Sequence, residues 1–150
     1  MHRVNNIELR NRVHTAMYDL IKDKGIASPV EVLMEIGILS KDDFENWRFG
    51  RIPYLEQVCK INLSKLSTIM REIRSFATKN NLKPSWTYYR QWGKGSTKLL
   101  RFSKSGSESI ERAYATHYVS QHKVVEAQER RKLKKQPEEA ASTTAEPIAE

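Results

Sequence analysis

One stretch of the chain, residues 60–104, combines hydroxyl and guanidinium side chains at a spacing that could bind phosphate. Between residues 63 and 79 the apolar positions recur with the period of an α-helix, which leaves a polar face on the opposite side. That face carries Ser64, Ser67, Thr68, Arg71, Arg74, Ser75 and Lys79. Hydroxyls and guanidiniums hydrogen-bond phosphate oxygens and base edges, whereas an ordinary solvent-exposed face mixes Glu with Lys. The residue types therefore favour contact with a polyanion.

The positive charge of the chain is concentrated in the same stretch. Residues 60–104 contain eleven Lys or Arg side chains and one carboxylate, Glu72, which gives this block a charge of +10. Residues 1–59 have eight basic and nine acidic side chains, which gives a charge of −1. Residues 105–150 have seven basic and eight acidic side chains, which also gives −1, so the whole chain carries +8. Such a concentration favours phosphate binding, because neutralising a polyanion releases condensed counterions. The alternative is a solvated basic face without a partner.

After residue 84 the pattern changes to the two-residue period of β-strands and predicts a β-hairpin over residues 85–103. The segments 85–92 and 97–103 are rich in aromatic and β-branched residues, and Gly93-Lys94-Gly95-Ser96 predicts a turn between them. Its apolar side is expected to pack on the helix 63–79. The other side alternates aromatic and basic residues, a composition that stacks on bases. It comprises Trp86, Tyr88, Arg90, Trp92, Leu99 and Arg101, and Lys94 and Lys98 add charge near the tip.

No group of residues supports catalysis. Asp42, Asp43 and Glu45 could suggest a metal-dependent nuclease, but their position after Ser40 explains them as charges at a helix N-terminus. A second polar cluster, on the predicted final helix, comprises Glu111, Tyr114, His117 and Tyr118 and is expected to be a hydrogen-bonded part of the core. The chain has no phosphate-binding glycine loop, no GxSxG and no metal-ligand spacing of His or Cys. We expect no enzymatic activity, no metal and no cofactor.

The elements that hold these residues are mostly helical. Helical patterns cover residues 7–24, 29–36, 40–49, 53–58, 63–79 and 107–135, with Gly25, Ser28, Gly37, Ser40 and Gly50 as start or stop signals. The predicted fold class is mainly α (α+β), with about five N-terminal helical segments, one wing-like β-hairpin and a long C-terminal helix. Residues 1–125 are expected to form one domain and 126–135 a projecting charged helix end. Residues 136–150, an acidic Ala/Pro/Thr tail, are expected to be disordered.

Cysteine usage and hydropathy indicate a location in the cytoplasm. Cys59 is the single cysteine, which excludes an internal disulfide, and its apolar neighbours predict that it is buried. No stretch approaches the ~20 apolar residues of a membrane span, and the first residues contain no apolar signal segment. We therefore expect no membrane partner.

The order of helices, a helix faced with hydroxyls and arginines, and a hairpin with a Gly-Lys-Gly tip resembles the winged-helix class of DNA-binding domains. The resemblance covers about residues 27–104 and lies in element order and charge. It implies that the helix 63–79 enters the major groove while the hairpin lies along the backbone or minor groove. We predict a non-catalytic protein that binds nucleic acid, duplex DNA in preference to RNA, as in transcription regulation.

Two alternatives come from other classes. The C-terminal helix 107–135 could make the protein an interaction adaptor, with a protein partner or with a second copy of itself. The basic block could instead belong to an RNA-binding or nuclease accessory subunit.

Overall fold

The structure, a computed structural model, describes residues 5–95 and 98–143. Its helices are α1 (Asn6–Lys24), α2 (Pro29–Glu35), α3 (Lys41–Arg48), a short 3-10 helix (Leu55–Val58), α4 (Leu63–Lys79), α5 (Glu108–Ala115) and α6 (Gln121–Thr143). Its strands are β1 (Ile26–Ala27), β2 (Lys83–Trp86) and β3 (Thr116–Val119). The fold is mainly α with one small antiparallel sheet, which confirms the predicted fold class and the five helical segments before the hairpin region.

The helix ends follow the signals in the sequence. The side chain of Asn5 accepts a hydrogen bond from the Glu8 amide at the start of α1, and Ser28 forms a capping box with Glu31 at the start of α2. Gly25 ends α1 with φ at +78°, and a Cβ added there would lie 2.4 Å from the amide nitrogen of Val124 in α6. Glycine at this position therefore lets α6 approach the end of α1.

The three strands form a sheet in the order β1-β3-β2, with both neighbours antiparallel to β3. Val119 of β3 lies opposite Ile26 of β1 on one side and Lys83 of β2 on the other. Trp86, at the end of β2, lies opposite Thr116. The prediction that residues 85–92 pair mainly with 97–103 is therefore wrong, because the first part of that segment pairs with a strand that the sequence placed inside the final helix.

The chain still reverses direction between residues 87 and 104, a segment that we call the hairpin loop. Among its described residues, Arg90 lies opposite Leu99 in a β-bridge, with a hydrogen bond of 2.8 Å from the Leu100 amide to the Tyr89 carbonyl. The predicted turn residues Ser96 and Thr97 lie outside the described residues. The apolar side of the loop, expected to pack on the helix 63–79, instead contacts α3 and α5. The Phe102 ring centroid is 5.1 Å from that of Trp47 in α3 and 5.4 Å from that of Tyr114 in α5.

The C-terminal third also differs from the predicted single helix. The chain runs through α5, β3 and α6, and α6 continues to Thr143, so residues 136–143 of the expected disordered tail lie within this helix. Residues 144–150 of that tail lie outside the described residues. The guanidinium of Arg130 in α6 donates hydrogen bonds to the carbonyls of Lys22 and Asp23 at 3.3 and 3.1 Å. The predicted projecting end, 126–135, is therefore attached to α1 at this residue.

The core lies between α1, α2, α3 and α4 and is covered by the hairpin loop and α5. The largest fully buried side chains include Leu9, Val13, Met17, Leu33, Leu39, Trp47, Leu55, Ile69, Ile73 and Tyr114. Cys59 is buried as predicted, and burial together with the nearby Glu56 raises the pKa of its thiol to about 12. None of the described helices is both long enough and apolar enough to cross a membrane.

Candidate nucleic-acid interface

The solvent-exposed side of α4 is a narrow stripe of hydroxyl and guanidinium side chains. Positions spaced three and four residues apart remain exposed because the opposite side of the amphipathic helix is buried in the core. The polar members of this exposed stripe are Ser64, Ser67, Arg71, Arg74, Thr78 and Lys79. In the described part of the chain, no hydrogen bond or ion pair involves the side chain of Arg71 or Arg74. Both guanidiniums can therefore offer all of their donors to a ligand.

The only carboxylate of the basic block does not lie on this stripe. Glu72 points toward α1, where its carboxylate is 3.0 Å from Nε2 of His14. The ring of Phe76, one turn further along α4, contacts the same histidine edge-on. At the start of α4, Lys65 donates a hydrogen bond of 2.7 Å to the side chain of Asn6. The contact between α4 and α1 thus keeps the Glu72 carboxylate away from the exposed stripe.

Two predicted site residues of α4 are placed differently. Thr68 is only 7% exposed, and its hydroxyl donates a hydrogen bond of 3.3 Å to the carbonyl of Ser64. It lies one turn before Glu72, on the side that contacts α1, so it cannot reach a ligand and the prediction for it is wrong. Ser75 is half-buried. The polar face predicted from the sequence therefore extends too far toward the side of α4 that contacts α1.

The hairpin loop is fixed to the helical part of the fold by its backbone. The carbonyl of Arg101 accepts hydrogen bonds from the indole nitrogen of Trp47 at 2.8 Å and from the amide of Leu55 at 3.2 Å. On the other arm, the amide of Trp92 donates to the carbonyl of Arg48 at 2.6 Å. Both arms of the loop therefore rest on α3 and on the segment that follows it.

Arg101, predicted as a nucleic-acid contact, is exposed, and its side chain bonds to the backbone of its own loop. Its Nε donates to the Ser103 carbonyl at 2.8 Å and its Nη2 to the carbonyl of Lys104, and the guanidinium lies 5.5 Å from the ring centroid of Tyr54. These bonds use two of the five N–H donors of the side chain. Other predicted loop residues, Lys94 and Lys98, are exposed.

Two carboxylates close the loop onto α5. Glu111 accepts hydrogen bonds from the Phe102 amide at 2.9 Å, the Ser103 amide at 2.7 Å and the Ser103 hydroxyl at 2.5 Å. Glu56 accepts from the Lys104 amide at 2.9 Å and from the Tyr114 hydroxyl at 2.8 Å. Burial, followed by the bond to Glu56, raises the pKa of Tyr114. The two carboxylates therefore accept hydrogen bonds from backbone amides of the hairpin loop and from buried hydroxyl groups.

The remaining residues of the predicted second cluster are the half-buried His117 and the buried Tyr118. Nε2 of His117 and the Tyr89 hydroxyl are hydrogen-bonded at 3.0 Å, so the histidine is hydrogen-bonded as predicted, at the edge of the core. Burial lowers the pKa of this imidazole and favours its neutral form. No group of three His, Cys, Asp or Glu side chains in residues 5–95 and 98–143 is arranged to hold a metal ion.

Exposed aromatic side chains lie at the end of β2 and on the outer side of the hairpin loop, as the alternating pattern predicted, with arginines of the loop, α3 and α5 beside them. Trp86 is 44% and Tyr88 53% exposed, and their ring centroids are 4.5 Å apart in an edge-to-face arrangement. The Arg48 guanidinium lies 4.7 Å from the ring centroid of Trp92 and 5.1 Å from that of Tyr89. Its Nε is buried, without a hydrogen-bond partner among the described residues, and burial lowers the pKa of this guanidinium.

Helix α5 lies between α4 and the hairpin loop and borders a depression on each side. An α4–α5 groove of about 740 Å³ has Ser67 and Arg74 on one wall and Ser109 and Ile110 on the other. A hairpin–α5 cleft of about 290 Å³ is lined by residues of the loop and by the opposite side of α5. The exposed stripe of α4 and the aromatic side of the loop thus flank the same short helix.

Sequence reasoning missed Arg112, the basic residue at the centre of this arrangement. Its guanidinium lies 5.3 Å from the ring centroid of Trp86, and its side chain lines the hairpin–α5 cleft. It lies outside the block 60–104, and the predicted continuous helix gave no reason to place it beside the hairpin. A signal was present in its spacing of four residues from Glu108, which marks the exposed side of α5.

Comparisons of the chain with protein-family models, with curated protein sequences and with solved structures found no match. The arrangement of its own residues is therefore the ground for a functional proposal.

Proposed function

We propose that the protein is a non-catalytic nucleic-acid-binding protein that binds duplex DNA through the exposed stripe of α4 and the hairpin loop. The observation that supports this most is the state of Arg71 and Arg74. Both are exposed, neither has an ion-pair partner among the described residues, and Glu72 is turned away toward α1. A surface of this kind attracts phosphate and presents fork-shaped donors to it.

The dimensions of the stripe suit a DNA groove. From Ser64 to Thr78 there are 14 residue steps, which at ~1.5 Å each span about 21 Å of helix axis. This is the length of about six base pairs at ~3.4 Å per step. An α-helix fits the major groove, where Arg71 and Arg74 would reach base edges or phosphates.

The hairpin loop would contribute the second contact, as the winged-helix resemblance implies. Lys94, between Gly93 and Gly95, is exposed at the end of the loop and would act as a point charge near the DNA backbone. Arg90 and Lys98 are exposed nearer its base. Together with α4 they would give a two-part contact with DNA. The role that fits such a contact is transcription regulation, with the protein located in the cytoplasm.

Binding should be tested by fluorescence anisotropy with a labelled 20-base-pair DNA duplex, the matching RNA duplex and single strands, over a range of salt concentrations. For ~4–7 phosphate contacts, log K should fall against log salt with a slope of about −4 to −6 on duplex DNA. No binding to duplex DNA at low salt would refute the proposal.

Variants of α4 test which surface binds. Arg71→Ala and Arg74→Ala should each weaken binding to a preferred duplex by about 1–3 kcal/mol. Lys94→Ala should weaken all sequences alike and reduce the salt slope by about one. Lys22→Ala is the control, because it removes an exposed positive charge of α1 outside the basic block. Equal affinities of the two arginine variants and the wild type would show that α4 is scaffold.

A protein-interaction adaptor is the second candidate, and the surface of α6 favours it. Val125 and Leu133 are both exposed and are eight residues apart, on one side of the helix. Self-association through α6 would appear as a dimer in sedimentation equilibrium. Val125→Asp and Leu133→Asp should then return the protein to a monomer.

A further inference from the structure

We propose that the hairpin–α5 cleft binds an unpaired nucleobase, from a single-stranded end or an extruded nucleotide of the nucleic acid. This inference rests on the proposed function and names a ligand that the contact through α4 does not require. The juxtaposition that carries it is an exposed aromatic pair, Trp86 and Tyr88, beside two arginines, Arg90 and Arg112.

The two aromatic side chains share one side of an extended segment. Trp86 ends β2 and Tyr88 follows two residues later, so both rings point to the same side of the chain. They are 44% and 53% exposed, although their ring centroids are only 4.5 Å apart. A pair of large rings that contact each other and still expose about half of their surface leaves apolar faces available for stacking.

The arginines are positioned on these rings from two elements. Arg112 of α5 places its guanidinium 5.3 Å from the Trp86 ring centroid, and Arg90 of the loop lies 6.0 Å from that of Tyr88. Both side chains are exposed. Guanidinium planes stack on bases as well as on protein rings, so Arg112, which lines the cleft, adds a stacking surface from α5 to the aromatic rings, while Arg90 lies beside Tyr88 outside the cleft lining.

The charges around the cleft favour a base over a phosphate as its occupant. Glu108 and Glu111 line it together with Arg112, which gives the interior a mixed charge. The Glu111 carboxylate is occupied by the Phe102 amide and by the amide and hydroxyl of Ser103. The Glu108 carboxylate is exposed and could accept a hydrogen bond from the exocyclic amino group of a base. A phosphate would be repelled by the same carboxylate.

Two lysines near the cleft are placed to hold the sugar-phosphate backbone of the bound nucleic acid. Lys83 at the start of β2 and Lys98 on the returning arm of the loop are exposed and belong to the block with a charge of +10. They can neutralise phosphates while the ring enters the cleft. The cleft volume of about 290 Å³ is just below the range for small-ligand sites, ~300–1,000 Å³, as expected for one flat ring.

The test compares labelled DNA duplexes of one sequence by fluorescence anisotropy. One is blunt, one carries a two-nucleotide 3′ overhang with bases, and one carries the same overhang with abasic residues, so the last two differ only in the bases. Stacking contributes ~1–3 kcal/mol per base, which is about a 5- to 150-fold change in affinity. We expect the overhang with bases to bind more tightly than the abasic overhang by a factor in this range.

Variants of the cleft should remove this difference without abolishing binding to the blunt duplex. Trp86→Ala and Tyr88→Ala are expected to bind the two overhangs equally, whereas Trp86→Phe should keep most of the preference. Tyr18→Ala is the matched control, because Tyr18 is an exposed aromatic residue of α1 that does not line the cleft. The wild-type comparison needs no variant and so does not depend on whether Trp86→Ala folds.

The outcomes separate this inference from the proposed function. Tight binding of the blunt duplex with no gain from the overhang bases would overturn the base site and leave the duplex function intact. A gain from the bases without binding to the blunt duplex would support the base site and refute the duplex function. A gain that persists in Trp86→Ala and Tyr88→Ala would overturn the assignment to this cleft.

Discussion

Glu111 is expected to be the side chain that contributes most to holding the hairpin loop on α5, and Glu111→Ala tests this. The substitution removes the acceptor of the Phe102 amide, at 2.9 Å, and of the Ser103 amide, at 2.7 Å. Phe102 is 3% and Ser103 1% exposed, so water reaches these amides poorly once the carboxylate is gone. The Ser103 hydroxyl also loses a partner, but it can rotate and still accept from the Gly106 amide.

The expected loss follows from the two backbone donors. A hydrogen bond to a charged group contributes ~1.5–3 kcal/mol, and a buried donor left without a partner costs a similar amount. Two such donors give about 3–6 kcal/mol. Water entering the space left by the side chain recovers part of this, so we expect a free energy of unfolding lower by about 3–5 kcal/mol.

Urea unfolding followed by circular dichroism measures this difference. Glu108→Ala is the control, since Glu108 also lies in the first turn of α5 and makes the same interaction with the helix dipole. It should cost less than about 1 kcal/mol. Glu111→Gln should fall between the two, because an amide keeps one acceptor oxygen. If Glu111→Ala is no less stable than Glu108→Ala, the loop is held by its aromatic contacts and the reasoning from these hydrogen bonds is wrong.

Three further substitutions or measurements test the fold. Gly25→Ala should destabilise the protein by at least ~2 kcal/mol more than Gly37→Ala in urea unfolding, since both glycines have positive φ but only at Gly25 would a Cβ clash with the Val124 backbone. Cys59, whose pKa is raised to about 12, should resist alkylation at pH 8 in the folded protein and react readily in urea; fast labelling of the native protein would contradict its burial. Burial lowers the pKa of His117 from 6.5, so the unfolded chain takes up the proton first as the pH falls. Stability should therefore decrease from pH 8 to pH 5, and His117→Gln should weaken that decrease in thermal melts, whereas an unchanged profile would exclude this residue as its cause.

The helices could be predicted from the sequence because their signals are local. Capping by Ser28 and termination at Gly25 each depend on residues within one turn of the helix end, so the pattern is sufficient to place α1, α2 and α4 within a residue or two. The apolar side of α4 was predicted by the same local rule. Its border with α1 was not, because the inward position of Thr68 depends on the contact between Glu72 and His14, residues 58 positions apart.

The sheet could not be predicted in the same way because its strands are distant in the sequence. β3 joins β1, about 90 residues earlier, to β2, about 30 residues earlier. The segment from Tyr114 to Tyr118 also fits a helical stripe, and nothing in its local sequence excludes a helix. The break after Ala115 is therefore decided by the tertiary pairing and not by propensity.

For the candidate interface, the sequence predicts where the positive charge lies but not which side chains are available to a ligand. A count of Lys and Arg locates the basic block, but it cannot distinguish Arg101, which is bound to the carbonyls of its own loop, from Arg74, which is exposed without such partners. Arg112, in an almost neutral part of the sequence, joins the surface because β3 pairs with β2 and brings the end of α5 beside Trp86. The cations most available to a ligand are those that the fold leaves without backbone partners. Binding measurements on Arg74→Ala, Arg112→Ala and Arg101→Ala therefore distinguish residues that contact the ligand from residues that hold the fold. We expect the first two to lower affinity at unchanged stability, and Arg101→Ala to lower stability first, because it removes two hydrogen bonds that hold the loop.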